Sequence, residues 1–121
     1  MILILGGKGA GKREFVRSLG YSDDEMSRDV GASAPVVTDL EETVRENPEH
    51  AAALLPALLE KEVVICCEVG SGVIPLARED RFFRETTGRL TVQLAREAEA
   101  VVRITAGLPM ALKGALPCRR V

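Results

Sequence analysis

Apolar residues fall along this chain in two alternating rhythms. Short, nearly continuous apolar runs at Met1 to Leu5, Ala34 to Thr38, Glu62 to Cys67 and Val101 to Thr105 have the β-branched character of strands buried on both faces. Between them the spacing turns helical. Phe15, Val16 and Leu19 share one face of a helix that runs to about Leu19, with Gly20 as its stop. Phe83, Thr87, Leu90, Leu94 and Ala98 line one side of a longer helix, from Arg78 to about Ala98, while Arg81, Arg84, Arg89 and Arg96 decorate the rest.

Punctuating residues divide the remainder. Ser22-Asp23-Asp24-Glu25 reads as a capping box that starts a short polar helix ending near Gly31. Asp39, with Glu42 three residues on, caps a helix of residues 40–46, and Asn47-Pro48 restarts helix as far as about Glu60. Pro56 removes a hydrogen bond inside that segment and should kink or divide it. A glycine-rich loop, Val69 to Pro75, follows the third strand, and Gly107-Leu108-Pro109 turns the chain into an edge strand, Met110 to Lys113. Strands alternating with helices predict an α/β fold, a three-layer sandwich around a mainly parallel sheet. Ligands of such sheets bind beyond the carboxyl ends of strands, where Gly6 to Lys12, Asp39 and Glu68 all fall.

Composition narrows the function classes. At 121 residues, 46% hydrophobic and 28% charged, the chain is expected to form one nucleotide-binding domain, residues 1–121, that buries roughly two-thirds of its unfolded surface. A net charge of −2, with Phe15, Tyr21, Phe82 and Phe83 as the only aromatics, argues against a nucleic-acid surface. Met1 to Leu5 is too short for a signal-peptide core, and no apolar run approaches the ~18 residues of a membrane helix. A cytoplasmic protein is expected. Cys66, Cys67 and Cys118 lack framework spacing and read as reduced thiols, and a single histidine without C-x-x-C gives no zinc site.

The strongest chemical signal follows the first strand. Gly6-Gly7-Lys8-Gly9-Ala10-Gly11-Lys12-Arg13 is a G-x-x-x-x-G-K phosphate loop in which the usual final Ser or Thr is replaced by arginine. The glycines free the backbone to wrap an anion, so that successive N–H groups point at nucleotide phosphates while Lys12 reaches the outermost ones. The hydroxyl that closes this motif normally ligates Mg²⁺. Arg13 has no lone pair to offer a metal, so phosphate binding survives while the usual Mg²⁺ geometry is weakened.

More specific still is the segment EVGSGVIPLAREDRFFRETTGRL, continuing to VVRITAGLPMALKG. It resembles the adenosylcobinamide kinase / adenosylcobinamide-phosphate guanylyltransferase family of cobalamin biosynthesis, whose pattern is matched at Glu68, Val69, Gly70, Gly72, Pro75, Arg81, Phe83, Arg84, Glu85, Gly88 and Arg89. Gly107, Leu108, Pro109 and Lys113 match further on, as do the loop from Gly6-Gly7 and Asp24-Glu25-Met26. The resemblance spans residues 1–13 and 64–114. It implies a P-loop NTPase-like fold, ATP or GTP as nucleotide, phosphoryl transfer to the aminopropanol hydroxyl of adenosylcobinamide, and then attachment of GMP through a guanylylated histidine. The chain departs from the family between Met26 and Ala34, where a second strand and the nucleotide-accepting histidine are expected. Thr91-Val92 stands where the family has Asn-Gln, and Cys67 where Asn precedes the glutamate.

Roles follow with their alternatives. Lys12 and Glu68 are the candidate catalytic residues, Lys12 on phosphate and Glu68 orienting Mg²⁺ or the acceptor hydroxyl, unless Glu68 serves the loop structurally. Asp39 is either the strand-end carboxylate that holds Mg²⁺ through water or simply a helix cap. Arg81, Arg84 and Arg89 bind ligand phosphate, contact a neighbouring subunit of a homo-oligomer, or form a solvated face. His50 reads as a surface helix residue, because only Glu49 stands near it to assist nucleophilic catalysis. The reading is therefore a kinase-type nucleotide transferase without its guanylyl step. A non-catalytic nucleotide- or cobinamide-binding accessory protein of the same fold is the alternative.

Overall fold

In the computed structural model, which describes residues 1–68 and 78–120, the apolar runs become neighbours in one sheet. Its strands are β1 (Ile2–Gly6), β2 (Met26–Ser27), β3 (Val36–Val37), β4 (Val63–Cys67), β5 (Ala100–Thr105) and β6 (Leu108–Lys113). They lie in the order β2-β3-β4-β1-β5-β6, all parallel except the β5–β6 pair. The most apolar strands, β1 and β4, take central places because burial on both faces leaves no room for alternating polar residues. The fold is the α/β sandwich with a mainly parallel sheet that the pattern predicts.

Strand pleating deals each apolar residue to one of two cores. Leu3, Val37, Val64, Cys66 and Val101 face one side, packed with Leu40 and Val44 of α2 (Leu40–Glu46), Leu58 of α3 (Leu55–Leu59), and Phe83, Leu90 and Leu94 of α4 (Arg78–Glu97). Ile4, Val36, Val63, Ile65, Val102 and Ile104 face the other, covered by Val16 of α1 (Lys12–Ser18), with Leu19 and Tyr21 beside it. The layers are thus unequal. Among the described residues, three helices and a 3₁₀ segment cover one face, whereas a single seven-residue helix covers the other.

Several local expectations are corrected. The Ser22 capping box forms, with the Ser22 N–H donating to Glu25 Oε1 at 3.0 Å, yet the helix it starts is one 3₁₀ turn, Asp23–Glu25, and not a run to Gly31. Met26 and Ser27 leave it to pair with Val36 and Val37, so a strand only two residues long does stand at the start of the stretch where the chain departs from the family. The segment after Asn47 is 3₁₀ from Pro48 to Leu54 and α-helical from Leu55, the division falling just before Pro56 as its missing N–H requires. Asn47 makes no side-chain cap. The β5–β6 turn is Ala106-Gly107, two consecutive positive φ values of 50° and 77° that suit a tight hairpin, and β6 begins at Leu108 instead of Met110. The predicted loop Val69 to Pro75 lies outside the described residues. Among the described residues, no helix is long and apolar enough to cross a membrane.

The thin face is fastened at its rim by the C-terminal segment. The Arg120 N–H donates to the Leu19 carbonyl at 2.9 Å, its guanidinium pairs with Glu25, and that same group lies 3.9 Å from the centre of the Tyr21 ring. The Arg120 hydrogen bond and the Ser22 N–H hold the Glu25 carboxyl down to about 2. Tyr21 donates to Glu62 Oε1 at 2.9 Å; burial, and then that carboxylate, push its phenol up to about 12. Because the folded phenol titrates above its unfolded value of ~10, the stability tied to it is complete below pH ~10 and is lost as pH rises toward 12. Tyr21 is the single tyrosine of the chain, so the ultraviolet phenolate band reports on it alone. Native protein should ionise near pH 12 and denatured protein near ~10; a native midpoint at the denatured value would show that the Glu62 contact does not hold.

Candidate functional site

Gly6 closes β1 where nothing larger fits: a Cβ there would lie 2.7 Å from the Ile104 carbonyl oxygen of β5. The chain then turns through residues 7–11, the Ala10 N–H donating to the Gly7 carbonyl at 3.2 Å, and enters α1 from Gly11 at φ +99°. That left-handed conformation favours glycine, and a Cβ at Gly11 would also press within 3.2 Å of Gly107 Cα. Gly107 in turn donates its N–H to the Ala10 carbonyl at 2.8 Å. The β5–β6 turn therefore braces the glycine-rich loop from behind.

Side chains from three strand ends gather around this loop. Half-buried Lys12 folds over it, its Nζ 2.7 Å from the Gly7 carbonyl and 3.3 Å from Cys67 Sγ at the end of β4. The Glu68 N–H continues the β4–β1 ladder by donating to the Gly6 carbonyl at 2.9 Å, which fixes the Glu68 backbone beside the loop. Its carboxylate meets Arg103 of β5 at 3.1 Å. Asp39 follows β3 at φ +52° and makes no side-chain cap on α2; its carboxylate instead binds the Arg13 guanidinium at 2.5 Å. A cavity of about 570 Å³ lies among these groups, within the ordinary range for a small-molecule site.

The structure thus brings together Lys8 to Arg13, Asp39 and Glu68 around one cavity. Arg81, Arg84 and Arg89 are not among its lining residues: Arg81 and Arg89 are exposed on α4, Arg84 is half-buried, and Arg89 stands 3.9 Å from Glu85 one turn away. His50 is exposed on the 3₁₀ turn, outside the lining.

Three lining or supporting residues escaped the sequence reading. Glu41 is only 7% exposed and accepts the Cys67 N–H at 2.9 Å, so the end of β4 is satisfied by a helix side chain where the sheet ladder stops. Arg45, one helical turn further along α2, reaches the cavity and stacks 4.0 Å from the centre of the Phe83 ring, tying the site to α4. Arg103 is the one charge in an apolar strand, a signal that a period-of-two reading of Val101 to Thr105 would have caught.

All three cysteines are free. Burial, followed by the nearby Glu41 carboxylate, pushes the Cys66 thiol well above its ordinary value, whereas Cys67 is half-buried beside Lys12 and Cys118 is exposed. Because the thiolate is the reactive form, iodoacetamide should alkylate Cys118 and Cys67 in folded protein and Cys66 only after denaturation. Peptide mass spectrometry decides this, and equal labelling of Cys66 and Cys118 in native protein would show that β4 is open to solvent.

The family match to known proteins covers residues 26–112, under the description cobinamide kinase / cobinamide phosphate guanyltransferase, or CobU. It begins after the glycine-rich loop of residues 6–13, which it therefore does not cover. The chain is also 30% identical over 74 residues to the bifunctional adenosylcobalamin biosynthesis protein CobU of Escherichia coli (strain K12), an alignment that covers 61% of this chain and 41% of that protein. The chain therefore spans less than half the length of this curated relative. With its mostly parallel sheet and a family match that runs from β2 through most of β6, the chain belongs to the cobinamide kinase / cobinamide phosphate guanyltransferase family.

Proposed function

We propose that the chain is a nucleotide-dependent transferase of the adenosylcobinamide kinase type, acting in the cytoplasm in cobalamin biosynthesis or salvage. One observation carries the reading: the Lys12 ammonium closes a glycine loop at the end of β1 and lines one cavity together with Glu68. In this reading the loop N–H groups and Lys12 take the phosphates of ATP or GTP. Glu68, its carboxylate steadied by Arg103, orients the acceptor hydroxyl for in-line attack. The family description, which names cobinamide, and the CobU relative, named for adenosylcobalamin biosynthesis, support adenosylcobinamide as the acceptor. Arg81, Arg84 and Arg89 remain candidates for ligand phosphate or a neighbouring subunit.

The decisive experiment incubates pure protein with adenosylcobinamide, Mg²⁺ and either nucleotide, and resolves the products by mass spectrometry. Phosphorylated adenosylcobinamide is the expected product. Lys12→Ala should weaken nucleotide binding in calorimetry by at least ~1.5 kcal/mol, the low end for a charged hydrogen bond; equal affinity in parent and variant would take Lys12 out of the site. A second reading, an accessory protein that binds nucleotide or cobinamide without turnover, is favoured by one feature, the Arg13–Asp39 pair in place of a metal-binding hydroxyl. Binding without product would select it.

The guanylyl step is absent in this proposal. A covalent nucleotidyl-histidine needs an imidazole set among groups that steady the transferring phosphate, and His50 is exposed on a 3₁₀ turn outside the cavity. GTP labelled at the α-phosphate should leave the protein unlabelled. Acid-labile label that vanishes in His50→Ala would restore the second activity.

A further inference from the structure

Mg²⁺ at a phosphate loop is ordinarily held by the hydroxyl after the lysine and, through water, by a strand-end carboxylate. The residues here do not fit that ion. The hydroxyl position is Arg13, a donor without lone pairs. The strand-end carboxylate, Asp39, has that same guanidinium 2.5 Å away, so a divalent cation on Asp39 would stand against a fixed positive charge. The next carboxylate along, Glu68, is taken by Arg103 at 3.1 Å. Each acid at the strand ends nearest the loop therefore has its own arginine.

We propose that Asp39 is a built-in mimic of phosphate: it parks Arg13 beside the loop and yields it to a metal-free polyphosphate, with the guanidinium occupying the place of the divalent cation. The proposal rests on the reading of the loop as a polyphosphate site. The pair is suited to exchange. Its side chains are 49% and 40% exposed, so the guanidinium is not locked in by packing. Asp39 is free of the capping duty its position suggests, since its carbonyl accepts the Glu42 N–H at 2.9 Å while its carboxylate makes no cap. Arg13 and Asp39 both line the cavity, so a phosphate seated on the loop competes with the carboxylate for the same planar donor. The exchange conserves charge-assisted hydrogen bonds at Arg13 and sets the Asp39 carboxylate loose into solvent, which makes Asp39 a brake on affinity.

A brake and a metal ligand respond to Asp39→Asn with opposite signs. Asparagine tolerates the positive φ of this position, so the variant should fold, with circular dichroism melting as the check. Calorimetry with ATP, GTP and inorganic triphosphate, each in chelator and in Mg²⁺, should show the parent binding in chelator within about threefold of its affinity in Mg²⁺. Asp39→Asn should tighten binding in chelator by about tenfold, the value of one freed charged contact. Arg13→Ser should weaken binding in chelator, gain a requirement for Mg²⁺, and abolish the benefit of Asp39→Asn in the double variant. The proposal is overturned if Asp39→Asn weakens binding only when Mg²⁺ is present, or if it tightens binding equally with and without Arg13. Triphosphate bound while both nucleotides fail would keep the proposal and remove the nucleotide reading; no binding of any polyphosphate would remove both.

Discussion

The contact between Gly6 and the Ile104 carbonyl governs the rest of the molecule. Parallel strands β1, β4 and β5 must end side by side for a loop at one to meet side chains at the others, and a Cβ at Gly6 would force β1 and β5 apart by meeting backbone at 2.7 Å. Backbone cannot rotate away as a side chain can. The same close approach lets Gly107 brace Ala10 from behind, so that the family-matching glycines near opposite ends of the chain meet at one place. What looks in sequence like two unrelated glycine-rich stretches is one structural joint.

Elements with long-range consequences were legible, because burial wrote them into the pattern. The runs that became β1, β4 and β5 are apolar since each is covered twice, and the spacing of Phe83, Thr87, Leu90 and Leu94 could only be one face of a helix against a sheet. The polar segments misled. At Ser22 the capping signal is real, but a cap stabilises only a first turn, and Met26 and Ser27 leave it to pair with Val36 and Val37. After Asn47, small alanines and an approaching proline leave the backbone in 3₁₀ geometry until Leu55.

The site divides along the same line. Gly6 through Arg13 could be read as one tight loop because its glycine pattern is local, contained in eight consecutive residues. The partners of its charges could not. Arg13 finds Asp39 across 26 residues, and Glu68 at the end of β4 finds Arg103 on β5, on the far side of β1, pairings that exist only once strand order is fixed. Helix spacing likewise marks Arg45 as surface charge, and only the packing of α2 against α4 turns it into a bridge between cavity and Phe83.

The unequal layers give α1 two tasks at once. Its first residue, Lys12, closes the loop, and four residues later Val16 seals Ile4, Ile65 and Val102 from water. A fluctuation that lifts this short helix would wet the second core and dismantle the loop in one motion, so the helix offers no intermediate in which the site is lost and the sheet stays dry. Amide hydrogens of the loop and of the β1 and β5 faces beneath it therefore belong to one cooperative unit, opening together and closing together.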